Sequence, residues 1–397
     1  MKMLYVAFSK IESSNRGNQI QCKRTYEALC KANSETYGIF LGNDRRGFSK
    51  IRQDGNTFYV DMDTKSLAWI EKYFHIAILK KILYPYLFIR QSIKIIKKIQ
   101  SIDLAYVRIF GLSDAEHLIK KLGKLKINRV VLELHDLDYA ISIYHHLFEI
   151  VIRKFQHKKL FERLSKSYPT ISLATVSKVL ADSIKKDFNF HPPISVVVNV
   201  HDFRSVNQKV INYNKEKFEI IYAGLNFFKI KGIDCLIKSL YFLDSRFSIK
   251  LIGGSEKHRK SFNFKFKDLV DSHRLQIIPP MEHEKIEELL YNSDFGVIPL
   301  PSGNFSSYTS PLKMFEYMAI GLPIVASNVP AVQEVLNNGV TAIFFEPDNA
   351  EDLAKKIQYY INNPELAKEF ASNARELSKK FTYERRAEVV LNCYNLS

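Results

Sequence analysis

The sequence predicts an α/β protein with two doubly wound domains, each holding a parallel sheet between layers of helices. The chain has 397 residues, which is long enough for two domains with separate cores. Short apolar runs rich in β-branched residues alternate with helical patterns along most of the chain. This alternation is typical of parallel sheets with helices on both faces. Apolar residues make up 46% of the chain, which indicates a globular protein.

Composition and charge exclude several classes of protein. The four cysteines have no ligand-like spacing, so free thiols in a reducing compartment are expected and a zinc site is not. Neither a signal peptide nor a membrane span is predicted. The formal net charge of +16 suits nucleic acid, an anionic membrane or simple solubility. No zinc-finger, basic-zipper or RNA-recognition signature occurs, which favours the membrane over nucleic acid.

The first half of the chain begins with a strand, a loop and a helix. Residues 3–8 form the strand, residues 9–19 the loop that contains Gly17, and residues 21–31 the helix. Doubly wound domains bind ligands at the carboxyl ends of their strands, so this loop is a candidate ligand contact. Further strands are predicted at residues 36–41, 58–61, 104–108, 130–135, 171–176 and 194–199.

Two polar side chains stand at the ends of predicted strands in this half. His135 ends VVLELH, and Arg108 ends the strand before it. Strand ends of this kind face the ligand crevice, so both residues are site candidates. A single histidine is more often structural, and a surface ion pair explains Arg108 as well as an acceptor phosphate does. Both interpretations stay open on the residues alone.

Residues 69–102 place aromatic and aliphatic residues at helical spacing among basic ones. The basic residues include Lys80, Lys81, Lys94, Lys97 and Lys98. Glu71 is the only acid between residues 69 and 100, and a second basic patch covers residues 153–166. An apolar face edged by cations suits a helix lying in a membrane interface. A core helix with a solvated basic face explains the apolar stripe equally well.

The second half opens with the strand FEIIYAG, which ends at Gly224, and a helix that begins near Lys231. A lysine near a helix start suits a pair of phosphates. Residues 201–217 are polar without a clear period, so the linker between the domains is placed there. The predicted domains cover residues 1–205 and 206–375.

Residues 306–334 carry the strongest pattern of the chain. Hydroxyl-bearing side chains fill positions 306–310, and a helix is predicted from Pro311 to Ile320 with Ser310 as its cap. Gly321 ends this helix, and a buried parallel strand follows it.

Two charged residues make the start of this helix a candidate site. Lys313 puts a cation in the first turn, which opposes the helix dipole and suits a bound anion. Glu316 lies one turn further on, where its carboxylate can accept hydrogen bonds from a ribose or sugar hydroxyl.

The run KMFEYMAIGLPIVAS resembles the donor-site signature of the retaining glycosyltransferases of family four, the glycosyl transferases group 1. That family's pattern is Glu, seven residues, Glu, and then a small residue followed by Gly-x-Pro-Val-Val-Ala-Ser. Glu316 stands at the second acidic position and Tyr308 at the first. The resemblance is specific at residues 220–350 and loose at residues 1–200. It implies the GT-B fold, with two Rossmann-like domains facing a central cleft.

The resemblance also implies roles for residues of the second domain. The family holds the donor diphosphate with Gly-Arg and, after a short gap, Lys-Gly. Gly224, Lys231 and Gly232 match this pattern, and Leu225 takes the place of the arginine. Pro280 and the residue after it follow a strand end where the family holds the nucleotide base.

Residues of the first domain and of the chain's end match the family too. His135, in ELHD, stands where a family histidine lies close to the transferred sugar. In the family, the loop that corresponds to the one at Gly17 faces donor and acceptor across the cleft. Residues 376–397 resemble the last helix of the family, which crosses back to the first domain.

The expected site follows from these matches. The catalytic candidates are His135, Lys231 and Glu316. The donor-binding candidates are Gly17, Gly224, Lys231, Pro280, Met281, Tyr308, Thr309, Ser310, Pro311, Leu312, Lys313 and Glu316. The acceptor-binding candidates are Arg16 and Arg108. No metal is expected to take part.

The implied function is transfer of a hexose from a nucleotide-sugar, expected to be a UDP-sugar, with retention of configuration. The acceptor would be a lipid-linked or growing glycan in bacterial-type cell-surface polysaccharide synthesis. The chain would be cytoplasmic and peripheral on the inner face of the cell membrane, with the anionic membrane surface as a partner. A nucleotide-sugar epimerase and a catalytically silent GT-B partner of a second transferase remain alternatives.

Overall fold

The computed structural model describes residues 1–12, 17–44, 50–62, 77–108, 112–125, 127–135, 137, 147–168, 170–201, 209, 211–224 and 231–395. The first domain contains one eight-stranded sheet. Its strands are β1 (Met3–Lys10), β2 (Thr36–Asp44), β3 (Lys50–Asp54), β4 (Thr57–Met62), β5 (Leu104–Arg108), β6 (Arg129–Leu134), β7 (Ile171–Thr175) and β8 (Ile194–Val196). Its helices are α1 (Gly17–Ala32), α2 (Ala77–Ile99), α3 (Leu112–Gly123), α4 (Leu147–Ser167) and α5 (Lys178–Phe188).

The strand order of this sheet is β3-β4-β2-β1-β5-β6-β7-β8. Every neighbouring pair is parallel except β3 with β4, which is antiparallel. The order turns around between β1 and β5, and a crevice for ligands opens at such a point. The strand β3, whose sequence is KIRQD, was not predicted. It lies at the sheet edge and is largely exposed, so it lacks the apolar alternation of a strand with a buried face.

The second domain contains two three-stranded sheets, with orders β11-β10-β9 and β12-β13-β14. A parallel bridge between Ile220 and Phe295 joins them. The strands are β9 (Phe218–Gly224), β10 (Phe247–Gly253), β11 (Leu275–Ile278), β12 (Gly296–Ile298), β13 (Ile324–Ser327) and β14 (Ile343–Phe345). All named pairs in these two sheets are parallel.

Ten α-helices surround the described strands of the second domain or follow them. They are α6 (Ile233–Lys238), α7 (Glu256–Lys265), α8 (Lys267–Asp271), α9 (His283–Asn292), α10 (Asn304–Tyr308), α11 (Leu312–Ile320), α12 (Pro330–Gln333), α13 (Ala350–Asn362), α14 (Pro364–Ser378) and α15 (Tyr383–Asn392). Short 3₁₀ turns follow α6 at Ser239–Phe242 and α15 at Cys393–Asn395.

The last helix, α15, returns to the first domain and packs against α1. Its residues Ala387 and Val390 are fully buried in one cluster with Tyr5 of β1 and Leu29 of α1. Helices α2 to α5 cover the opposite face of the same sheet, where they form a second cluster. The first domain therefore depends on residues from both ends of the chain for its two layers.

The helix α2 tests the two interpretations of the basic segment 69–102. Residues 69–76 lie outside the described residues, and the described side chains of α2 begin at Pro85. Phe88, Ile89, Ile95 and Ile96 are buried in the core of the first domain. The expectation of an apolar face turned to a bilayer is therefore wrong for this part of the helix, because that face packs against the sheet. Within the described chain, no helix is both long and apolar enough to cross a membrane.

Candidate active site

A cleft of about 430 Å³ lies between the two domains. Carboxyl ends of strands form its walls: β1, β5 and β6 lead into it from the first domain, and β9, β10 and β12 from the second. The crevice at the β1–β5 turnaround therefore opens directly onto the second domain. Gly17 brings the two sides together, because a Cβ added there would lie only 2.9 Å from Leu312 Cδ1.

The helix α11 ends as predicted and begins differently. Gly321, with φ of 78°, ends it in the left-handed conformation, and its N–H donates to the carbonyls of Tyr317 and Met318. The helix starts at Leu312 instead of Pro311, because Pro311 has an extended backbone with ψ of 123°. The predicted cap by Ser310 is therefore wrong. The Ser310 hydroxyl is buried and has no hydrogen-bond partner among the described residues.

The second domain places Lys231 at the cleft, beside the glycine that precedes α6. The Lys231 Nζ lies 5.0 Å from the centroid of the Phe305 ring, so an aromatic face supports the ammonium group. Gly232 has φ of 66°, and a Cβ on it would lie 1.5 Å from the carbonyl oxygen of Pro299. Only glycine fits this position, and the close approach to Pro299 fixes Lys231 against the cleft.

Lys313 and Glu316 line the same wall, one turn apart on α11. Lys313 Nζ lies 5.0 Å from the centroid of the Tyr222 ring. Burial lowers the pKa of Lys313, and the nearby charge of Glu316 opposes this shift. A ligand with negative charge would therefore stabilise the ammonium form of Lys313.

The first domain places His135 on the opposite wall, held by a buried carboxylate. His135 Nε2 lies 2.7 Å from Glu133 Oε1, and Arg386 of α15 donates to the same oxygen at 2.6 Å. The side chains of Glu133 and Arg386 are both fully buried. Since a carboxylate only accepts, the proton of the imidazole lies on Nε2 and Nδ1 is an acceptor.

The charges around Glu133 determine the protonation states of Glu133 and His135. Burial opposes the ionised form of Glu133, but the charges of Arg386 and Arg108 hold its pKa well below the usual range. Burial, together with the charge of Arg108, lowers the pKa of His135 to about 4 against the opposite effect of Glu133. His135 is therefore neutral at physiological pH, beside an ionised Glu133.

A chain of hydrogen bonds continues from Arg108 across the cleft floor. Arg108 Nη2 donates to Gln21 Oε1 at 3.1 Å, and Gln21 Nε2 donates to Asn199 Oδ1 at 2.5 Å. Asn199 Nδ2 then donates to the carbonyl of Ser310 at 2.5 Å. The chain links the first domain to the loop before α11. Arg108 lies neither at the surface nor in a simple ion pair, and its role toward an acceptor stays a prediction.

Tyr308 does not line the cleft. Its side chain is buried in the core cluster of the first domain, and its carbonyl accepts a hydrogen bond of 2.8 Å from the Ser177 hydroxyl. The predicted contact of Tyr308 with the donor does not fit this position. Close by, Glu334 accepts from the backbone N–H groups of Lys178 and Val179 at 2.7 and 2.5 Å, at the start of α5. These contacts join residues before α11 and after α12 to the first domain.

One group of side chains at the cleft has the composition of a metal site. Ligand atoms of His201, His283 and Glu316 all lie within 4.8 Å of one another. His283 Nε2 is also 3.2 Å from Glu287 Oε1, and this hydrogen bond raises the pKa of His283 against the effect of burial. Two imidazoles and a carboxylate are ligands that Zn²⁺ accepts. The expectation that no metal takes part stays a prediction.

The cleft brings most of the predicted site residues together. It is lined by Gly17, Arg108, His135, Gly224, Lys231, Pro280, Met281, Thr309, Ser310, Pro311, Leu312, Lys313 and Glu316. Arg16 and Leu225 lie outside the described residues. Sequence reasoning missed Gln21, Asn199, Tyr222 and His283, which line the cleft as well. Asn199 and His283 come after strands, and residues after strand ends are expected to face the ligand crevice. This was the one sequence feature that could have identified them.

Comparison with known proteins finds a family match within the second domain. Residues 203–377 match the family described as Glycosyl transferases group 1. The solved structure of a sucrose-phosphate synthase from Thermosynechococcus elongatus is similar with a TM-score of 0.78 and 14% identity. The match covers 99% of this chain and 98% of that one. The predicted α/β fold of the GT-B type is confirmed.

Curated relatives match this chain over about half of their own length. An uncharacterized glycosyltransferase of Methanocaldococcus jannaschii is 30% identical over 198 residues, which are 48% of this chain and 54% of that protein. The N,N'-diacetylbacillosaminyl-diphospho-undecaprenol alpha-1,3-N-acetylgalactosaminyltransferase of Campylobacter jejuni is 24% identical over 184 residues, 46% of each protein. The similarity to these relatives therefore concerns about half of each protein, and the family match concerns residues 203–377.

Proposed function

We propose that this protein is a glycosyltransferase that moves a hexose from a nucleotide-sugar to a lipid-linked or growing glycan, with retention of configuration. The observation that carries the proposal is the cleft, where Lys231, Lys313 and Glu316 of one domain face His135 of the other. Departure of a nucleoside diphosphate leaves an oxocarbenium-like sugar and a strongly negative leaving group. The cleft offers cations that would stabilise the leaving group, and it offers a neutral hydrogen-bond acceptor near the sugar.

The donor diphosphate is proposed to bind between Lys231 and Lys313. Both ammonium groups stand over aromatic rings at the cleft wall, so they are positioned before a ligand arrives. Glu316, one turn along α11, would accept hydrogen bonds from the ribose hydroxyls. Pro280 and Met281 follow β11 at the same wall and suit contact with the base, with uracil as the expected one.

His135 is proposed to position the transferred sugar. Its Nε2–H is committed to Glu133, which leaves Nδ1 to accept a hydrogen bond from a sugar hydroxyl. Because Glu133 and Arg386 are buried, the imidazole ring is held in one orientation. A positioned and neutral acceptor orients the sugar without adding a charge beside the developing oxocarbenium centre.

The acceptor and location are proposed from charge and from one relative. The name of the Campylobacter jejuni relative includes a diphospho-undecaprenol, which is a lipid-linked substrate. The first domain of the present chain carries exposed cations on α2, among them Arg90, Lys94 and Lys97. We infer a cytoplasmic enzyme that acts at the inner face of the membrane in cell-surface polysaccharide synthesis.

A thermal-shift screen tests the donor part of the proposal. A ligand bound only by the folded state raises the melting temperature, so UDP-, GDP-, ADP- and CMP-sugars can be compared directly. We expect the largest shift with a UDP-sugar, and an equal shift after treatment with a chelator. If no nucleotide-sugar raises the melting temperature, the cleft is not a donor site.

Transfer itself is tested with the donor found in the screen and a lipid-linked acceptor. The anomeric configuration of the product, read by NMR, decides between retention and inversion. Conversion of the nucleotide-sugar without an acceptor would indicate an epimerase instead. Donor binding with neither transfer nor conversion would favour a silent partner of another transferase.

A further inference from the structure

A second cavity of about 450 Å³ opens as a groove between helices α2 and α3. Its floor is apolar, because Ile89 of α2 is buried in the domain core and Ile93 packs against that core. Tyr86 and His117 stand across the groove with their ring centroids 6.0 Å apart. The groove shares no lining residue with the cleft described above.

Four cations line this groove. Arg90 and Lys97 come from α2, Lys121 from α3, and Lys124 from the turn after it. All four side chains are exposed, and none forms an ion pair with a carboxylate among the described residues. The acid of α3 whose side chain is described, Glu116, accepts two hydrogen bonds from Arg163 of α4 at 2.9 and 3.1 Å. The groove therefore has a positive field above an apolar floor.

The groove lies toward the end of the sheet opposite to the cleft. The strand β5 ends at the cleft with Arg108, and α3 then runs back toward the start of β6 at Arg129. Lys121 and Lys124 stand at the far end of α3, and Lys97 stands at the far end of α2. A ligand in the groove would therefore hold the first domain from outside, away from the site of sugar transfer.

We propose that this groove binds the phosphate headgroup of an anionic membrane lipid. The planar guanidinium of Arg90 suits two phosphate oxygens at once, and the lysines add point charges around them. Ile93 and Leu125 of the groove are partly exposed and offer contact to the apolar part of the lipid, which free phosphate lacks. The apolar stripe of α2 is buried in the core and cannot contact a membrane. The groove is therefore the part of α2 that we expect to contact the lipid.

The proposal deepens the membrane location proposed above and names the residues responsible. It does not depend on sugar transfer, because the groove and the cleft have separate linings. Lipid binding and nucleotide binding can therefore succeed or fail independently. Loss of one with retention of the other identifies which of the two proposals is wrong.

The test compares two variants of the full chain by co-sedimentation with vesicles. The groove variant combines Arg90→Gln, Lys97→Gln, Lys121→Gln and Lys124→Gln. The control variant combines Lys158→Gln, Lys166→Gln, Lys185→Gln and Lys186→Gln, which removes the same charge from exposed positions on α4 and α5. Vesicles contain phosphatidylglycerol in phosphatidylcholine or phosphatidylcholine alone, at low and high salt.

We expect the native chain to sediment with anionic vesicles and not with neutral ones. Each basic residue near such a surface changes binding roughly fivefold, so the groove variant should bind at least about tenfold more weakly. The control variant should lose no more than about threefold. Both variants should keep the native melting temperature and the native shift with nucleotide.

Three results would overturn the proposal. Equal losses in the two variants would show that net charge, and not the groove, binds the membrane. Equal recovery with neutral vesicles would show that no anionic headgroup is recognised. Release from the vesicles by inorganic phosphate, at the concentration of the lipid phosphate, would show a phosphate site without preference for lipid.

Discussion

The two walls of the cleft hold their charges in different ways. On the first domain, Glu133 is fully buried. Its Oε1 lies within hydrogen-bond distance of His135 and Arg386, while its Oε2 has no hydrogen-bond partner among the described residues. On the second domain, Lys231 and Lys313 stand over aromatic rings at the open cleft. The charge of Glu133 on the first wall is therefore neutralised by cations of the protein itself, whereas the cations of the second wall gain from a bound anion. Substitutions of Glu133 and Arg386 should change stability, and those of Lys231 and Lys313 should change binding.

The largest effect is expected from Arg386→Met. The substitution leaves Glu133 as a buried charge without its closest partner, and breaking such a pair costs about 3–5 kcal/mol. Arg385→Met, at the exposed neighbouring position, should cost less than about 0.5 kcal/mol. Urea unfolding measures both values. Adding Glu133→Gln to Arg386→Met should restore part of the loss, and a fully additive result would show that the pair is not coupled.

The next effect concerns the pH dependence of stability. The pKa of His135 in the folded state is about 4, below its ordinary value, so unfolding takes up a proton between these limits. Its contribution to stability is complete above about pH 6.5 and is lost as the pH falls toward 4. The free energy of unfolding should therefore fall by up to about 1.4 kcal/mol per pH unit in this window.

His135→Asn should reduce this slope, while His191→Asn, at an exposed position, should leave it unchanged. Urea unfolding at a series of pH values from 4 to 8 measures the slope for all three proteins. The same slope in the native chain and in His135→Asn would contradict the assignment of a neutral imidazole at the cleft wall.

On the second wall, Lys231→Ala should lower the use of the donor. Charge-assisted contacts contribute about 1.5–3 kcal/mol, so donor turnover should fall more than tenfold while the melting temperature without ligand stays the same. Lys238→Ala, at the exposed end of the helix α6 that follows Lys231, is the matched control. Steady-state kinetics and nucleotide titration measure the effect. Unchanged turnover together with unchanged nucleotide affinity would remove Lys231 from the donor site.

The smallest effects separate Glu316 from Tyr308. Glu316→Gln should weaken nucleotide binding and leave stability unchanged, because its carboxylate faces the cleft. Tyr308→Phe should leave nucleotide binding within about twofold, since this side chain packs in the core of the first domain. Isothermal titration with the preferred nucleotide compares the two variants. A Glu316→Gln protein that is less stable but binds normally would make Glu316 structural.

The pattern of residues within a short stretch was enough to predict the bounds of some strands and the ends of some helices. The bounds of β5 at residues 104–108 were predicted without error, and Gly321 was correctly predicted to end α11. The periodicity of apolar residues, and a glycine that can adopt positive φ, can both be recognised within a few positions of the sequence. The start of the same helix was less readable, because Pro311 is acceptable both as a cap and as a first helical residue.

The polar network behind His135 was beyond local pattern. Glu133 and Arg386 are 253 positions apart, and Asn199 and Ser310 are 111 apart. The residues next to each partner in the sequence do not identify the other partner. Each one looks like an ordinary charged or amide residue at a strand end or in a helix. Tyr308 was misplaced for the same reason: its surroundings come from the first domain, which the spacing of residues 306–334 does not reveal.

The position of Arg386 on α15 has a consequence for synthesis. The ribosome makes α15 after every other described α-helix, yet its arginine neutralises the carboxylate at the centre of the first domain. Domains of a growing chain generally fold as units, amino-terminal first. Here the first unit emerges with Glu133 still lacking its closest cation, and it completes its interior only after the second unit has been translated. Severing the chain at the linker would therefore not release two independent modules, because the amino-terminal fragment would retain a buried carboxylate without its closest cation.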